Sequence, residues 1–177
     1  MIASLRRKFG RLRQLPVFVL VWLPPTWILM GLAALALRLV PIRRLAPLFG
    51  RGIGAVGFVP LLPRTRRRRA DEVRRTIALA ARYAPFRSNC FPQALVAQAF
   101  CRLYRLPFAM HFGVRAAGAG EAGEAANPGL AAHAWVVSGP VAISGGNASF
   151  ARFSTVGCFV SPALWEALST GSPRLQP

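Results

Sequence analysis

An α+β fold is what this sequence predicts, and three observations predict it. Apolar residues recur at helical spacing in the segments up to Tyr104. From Leu106 onward they alternate instead, in short runs that read as antiparallel strands. Ser138-Gly139-Pro140 sits between two of those runs and reads as a hairpin turn. Helices first and strands after is the order of an α+β domain.

The 177 residues suit one compact domain plus an extension. We expect three parts: a basic, apolar helical extension with a loop-rich linker over 1–69, a core domain over 70–165, and a tail over 166–177. Residues 1–14 carry Arg6, Arg7, Lys8, Arg11 and Arg13. Leu15 to Leu37 then has no charged residue, a run long enough to span a bilayer. Pro24-Pro25 interrupts it, which predicts two segments, each too short to span alone. Gly31 to Val40 reads as an apolar helix ended by Pro41. Membrane contact through 15–40 stays open.

Prolines and glycines over 41–69 read as loops. Arg64 to Arg69 reads as a solvated helix start. Asp71 to Tyr83 has Val73, Ile77, Ala80 and Ala81 on one face, with Asp71 and Glu72 in the first turn, where the helix dipole favours them. From Ser88 a new helix begins, because Pro92 is tolerated only in a first turn. Strands follow at Leu106–Val114, with Phe108, Met110 and Phe112 on one side and Ala109 and His111 on the other, then at Ala132–Val137 and Val141–Ser144. A further strand is expected within Ser149–Val160. Residues 116–131 read as a surface loop and the tail from Gly171 as frayed.

The net charge is +18, from 23 basic residues against five acidic ones. That excess suits an acidic partner: a peptide, a nucleic acid or an anionic membrane. The three cysteines, Cys90, Cys101 and Cys158, make no disulfide framework. Two histidines and five carboxylates offer no zinc-ligand spacing, so neither a metal nor a cofactor is expected. A reduced, cytoplasmic chain is the simplest reading.

Cys90 falls at a helix N-terminus, three residues after Arg87, and such a position favours the nucleophilic thiolate. His133 lies on a strand that can pack over that helix end. Together they make a candidate nucleophile and base, with Gln93 and Asn89 as candidate oxyanion donors. Cys101, Cys158 and His111 read as packing residues.

Three pieces, SNCFPQAL, LPFAMHFGV and AHAWVVSGPVAISGG, in this order and spacing, resemble one family. It is the transglutaminase-like cysteine peptidases of lasso-peptide biosynthesis, the family of the McjB C-terminal domain. The resemblance covers about residues 70–160. It implies a papain/transglutaminase-like α+β fold and a leader peptidase, a hydrolase cutting one bond of a ribosomally made precursor peptide. It also implies a small leader-binding partner protein and an ATP-dependent lasso cyclase, and no nucleic acid. Cys90 falls on the nucleophile and His133 on the general base.

The family commonly has an aspartate on the strand after the histidine. Here that position is Ser144 or Gly145, depending on the anchor. A two-residue Ser138-Gly139 loop would set Ser144 opposite His133, which makes it the first candidate for orienting the imidazole; Asn147 is the second. A rival reading is a non-catalytic, membrane-associated scaffold on the same fold. Acyl transfer on the same pair is a third.

Overall fold

The computed structural model describes residues 15–84, 89–116 and 129–170. The basic start, Arg87, Ser88, most of the expected 116–131 loop and the tail from Gly171 lie outside them.

Helix α1 (Val17–Leu39) is a single unbroken helix of 23 residues. The expected break at Pro24-Pro25 does not occur. Each proline removes one backbone bond, to the carbonyls of Leu20 and Val21. Side chains keep the helix continuous through that gap. Thr26 Oγ1 donates to the Trp22 carbonyl at 2.6 Å. Trp27 Nε1 donates to the Ala80 carbonyl at 2.9 Å, and Trp22 packs edge-on against Phe100 and Tyr104. Tertiary packing overrides the local preference.

A short helix α2 (Ile42–Leu45) and a 3-10 turn (Ala46–Phe49) lead into strand β1 (Arg51–Gly54). This strand falls in a stretch that sequence reads as loop. It has only four residues, two of them glycine, so it carries no alternation to detect. Gly50, at φ +109°, lets the chain enter it; a Cβ there would lie 2.2 Å from the Val160 carbonyl oxygen.

Helix α3 (Arg64–Tyr83) starts at the arginine run and not at Asp71. Its first turn therefore holds no acid. Glu72 lies two turns in and binds Arg68 and Arg69, at 3.3 and 2.9 Å. Arg66 donates to the Arg105 carbonyl, and the Arg69 guanidinium stacks over Phe18 and Tyr104 at 4.6 and 5.0 Å. These contacts compensate for basic residues at the positive end of the helix dipole. Helix α4 (Cys90–Leu103) ends with Arg105 at φ +52°, where Leu106 N–H bonds back to the Cys101 carbonyl at 2.8 Å.

Strands β2 (Ala109–Ala116), β3 (Leu130–Ser138) and β4 (Val141–Ser144) follow. A one-turn helix α5 (Ser149–Arg152) precedes β5 (Ser154–Val160). Helix α6 (Pro162–Ser169) is capped by Ser161 Oγ and crosses residue 165. The sheet order is β1-β5-β2-β3-β4, every neighbouring pair antiparallel. Helices packed on an antiparallel sheet make the expected α+β plan, with β1, among the described residues, the one strand that comes before α3 and α4.

Each face of the sheet carries its own core. On one, Met110, Ala134, Val136 and Ile143 pack with Met30 of α1, Val73 and Ile77 of α3, and Ala97 and Phe100 of α4. On the other, Trp135 and Val137 gather with Ala109, Cys158, Val160 and Leu164. Alternation along β2 and β3 assigns each residue its face, for β2 as the sequence pattern predicts.

Candidate active site

The start of α4 is fixed by aromatic packing. Asn89 is its exposed N-cap residue, and its side chain makes no capping bond. Pro92, buried in the first turn, lacks an N–H where no helical partner exists. Phe91 packs on Phe49 and Phe112, with ring centroids 5.6 and 5.3 Å apart, and Phe49 and Phe112 both meet Phe159. Gln98 and Arg102 donate to the Leu48 carbonyl and tie the helix to the turn before β1. This frame holds Cys90 half-buried at the first residue of the helix, against the helix-side core. Backbone N–H groups at a helix start favour an anion. Gln93 is half-buried in the same first turn.

His133 is half-buried on β3, opposite Gly113 of β2. Phe112, the ring under Phe91, pairs with Ala134, the residue next to His133. Cys90 and His133 thus lie toward the same end of the sheet but on different faces, since His133 shares the Trp135 face and Cys90 the helix-side one. They pack differently: Cys90 against the helix-side core, the His133 ring against Trp135 and Phe153, at 5.7 and 4.7 Å.

The polar contacts of His133 define its tautomer. Nε2 lies 3.1 Å from the Gly145 carbonyl and 3.3 Å from Ser149 Oγ. A carbonyl only accepts, so Nε2 carries the proton and Nδ1 the lone pair. Ser149 Oγ itself lies 2.8 Å from the Gly145 carbonyl and 3.0 Å from that of Gly146, and donates there. Burial lowers the His133 pKa from its ordinary value, the Gly145 bond opposes this, and the charge of Arg152 lowers it further. The imidazole is therefore neutral near pH 7.

A family model of the transglutaminase-like superfamily matches residues 36–158, more than half of the chain. The chain belongs to the transglutaminase-like superfamily. No curated protein and no solved structure gives a match. The superfamily includes cysteine peptidases, in which a thiol and an imidazole are the working groups.

For a transglutaminase-like site, the group that orients the imidazole differs from both candidates. The hairpin turn is Gly139-Pro140, since Ser138 pairs with Val141. With a bulge between Val136 and Val137, Ser144 stands opposite Val136, not His133. Pro140 has no N–H to give a ladder, so the turn moves one residue on from Ser138. Ser144 is buried and its hydroxyl meets no partner among the described residues. Asn147 is exposed. The described partner of His133 Nε2 is instead the Gly145 carbonyl. It sits at φ +83°, where a Cβ would lie 2.3 Å from Trp135 Cβ and 2.9 Å from His133 Nε2. Ser149 and Arg152 escape sequence reading because α5 is one turn long; the Gly145-Gly146 pair before it is the only local signal.

A second cysteine–histidine pair exists and points away from catalysis. His111 pairs directly with Cys158 across β2 and β5. Burial lowers the His111 pKa to about 4, partly offset by the Phe58 backbone. Burial raises the Cys158 thiol to about 11, again partly offset by Phe58. Both shifts oppose a thiolate–imidazolium pair. Cys101 is fully buried and its thiol pKa is raised by that burial. Among the described residues no three His, Cys, Asp or Glu side chains gather as a metal site.

Proposed function

We propose that this protein is a cysteine peptidase that removes the leader from a ribosomally made lasso-peptide precursor. The observation that carries the reading is the pinned imidazole: the Gly145 carbonyl and Ser149 hold the Nε2 proton of His133 and leave Nδ1 as base. In this mechanism Nδ1 takes the Cys90 thiol proton and the thiolate attacks the scissile carbonyl carbon. The oxyanion is met by backbone N–H groups at the start of α4 and by the Gln93 or Asn89 side chain. His133 returns the proton to the leaving amine. A water, deprotonated by the same nitrogen, then hydrolyses the thioester. The precursor arrives on a small leader-binding partner, and the cut product passes to an ATP-dependent cyclase.

A second reading, a scaffold on the same fold, draws on the different packing of Cys90 and His133 and on the uncharged orienting group. One assay separates the two. Precursor, partner protein and enzyme are incubated and the products weighed by mass spectrometry. Leader removal is expected with the natural chain and is lost in Cys90→Ala. Cleavage persisting in that variant removes the peptidase assignment.

A further inference from the structure

Helix α1 buries one side against the domain and leaves the other uncovered. Val19, Thr26 and Met30 are buried, and Trp22 and Trp27 reach α3 and α4. Along the opposite side run Val17, Val21, Pro24, Ile28, Leu32, Leu35 and Leu39, all exposed. Their spacing of three and four residues is that of one helical stripe. The six aliphatic side chains are between 51% and 75% exposed. At 1.5 Å per residue the stripe is roughly 35 Å long.

The charge around it has one sign. No acidic residue precedes Asp71 in the chain. Arg38, Arg43 and Arg44 are exposed beside the C-terminal end of the stripe. An apolar stripe flanked by arginines matches an anionic lipid surface in both respects. A second copy of the chain fits poorly, because each carries a net charge of +18.

Packing also selects the orientation. Phe18 lies under Arg69 and Trp27 bonds Ala80, so α1 runs alongside α3. Helix α3 carries eight arginines. Crossing the bilayer would draw that helix into hydrocarbon, at a large cost for each buried guanidinium. We infer that α1 lies in the plane of an anionic bilayer, its apolar stripe among the acyl chains and Arg38, Arg43 and Arg44 at the headgroups. The domain is then a peripheral membrane protein that works at the lipid surface.

The test uses the full chain and sedimented vesicles at low salt. Binding to phosphatidylglycerol–phosphatidylcholine vesicles is expected to exceed binding to phosphatidylcholine alone by roughly fivefold or more. The double variant Ile28→Glu/Leu32→Glu alters only exposed positions, so its far-UV circular dichroism should be unchanged. Its partitioning should fall roughly tenfold or more. Arg43→Glu/Arg44→Glu provides an independent arm, with a fall of roughly tenfold confined to the anionic vesicles. An alkaline carbonate wash should release the natural chain. The inference is overturned by no binding to anionic vesicles, by equal binding of the stripe variant, by retention through the wash, or by a dimer in sedimentation velocity that Ile28→Glu dissociates.

Discussion

His111 and His133 both stack on Trp135, at 5.3 and 5.7 Å, yet the fold treats them oppositely. His111 is fully buried between Trp135 and the edge of Phe150, and among the described residues the only polar group acting on its ring is the Phe58 backbone, too weakly placed to offset the burial. His133 keeps partial exposure and one pinned nitrogen, Nε2, which leaves the lone pair on Nδ1. The comparison teaches that residue type and face do not make a base. A defined tautomer is also needed, and the Nε2 contacts with Gly145 and Ser149 supply one to His133. A histidine without them is an aromatic packing element whose protonation the fold resists.

The largest expected difference between the two is catalytic. His133→Asn should lower leader cleavage by roughly 10,000-fold or more. His111→Phe should leave cleavage within a fewfold of the natural chain, once folding is verified by near-UV circular dichroism. Similar losses in both would erase the distinction.

Next is the group that pins His133. Gly145→Ala combines a left-handed backbone with a Cβ driven into Trp135 and His133. A loss of about 2–5 kcal/mol in urea unfolding is expected, from strain and overpacking together. A loss below ~0.5 kcal/mol would show that the carbonyl is not held as described.

Acid stability sharpens the contrast further. The folded state lowers the pKa of His111 to about 4 from the ordinary 6.5. Below pH 6.5 the unfolded chain takes up a proton that the folded chain refuses. Stability is therefore fully present above that pH. It falls by about 1.4 kcal/mol per pH unit as pH drops toward 4. His133 contributes with the same sign. In His111→Phe the slope of unfolding free energy against pH over this window should lose close to one proton; an unchanged slope would contradict the burial.

The smallest expected effect tests the electrostatics of His133 alone. Arg152 helps to hold its pKa down. Arg152→Ala should move the acidic limb of the pH–activity profile upward, with little change at the plateau. A shift in the opposite direction would mean that the limb belongs to another group.

Much of this arrangement was legible in the residues. Pro92 predicts a helix starting near Cys90, and the alternation of Phe108, Met110 and Phe112 against Ala109 and His111 separates the faces of β2. These are local properties, set by ring geometry and by the two-residue period of a strand. Other elements were not legible. β1 is an edge strand of four residues that exists through pairing with β5. α1 stays whole across Pro24-Pro25 because Trp22 and Trp27 hold it to distant helices. The turn at Gly139-Pro140 and the bulge after it removed Ser144 from the place expected for it.

By itself, then, the sequence determined the α+β class, the helix start at Cys90 and the two faces of β2. Only the tertiary structure decided what orients that imidazole. Its partner is the carbonyl oxygen of Gly145, and every residue has such an oxygen. Which one points at Nε2 depends on a bulge, a left-handed glycine and one turn of helix 16 residues away at Ser149. No residue type encodes that, because the contact is made by backbone placed from elsewhere in the fold.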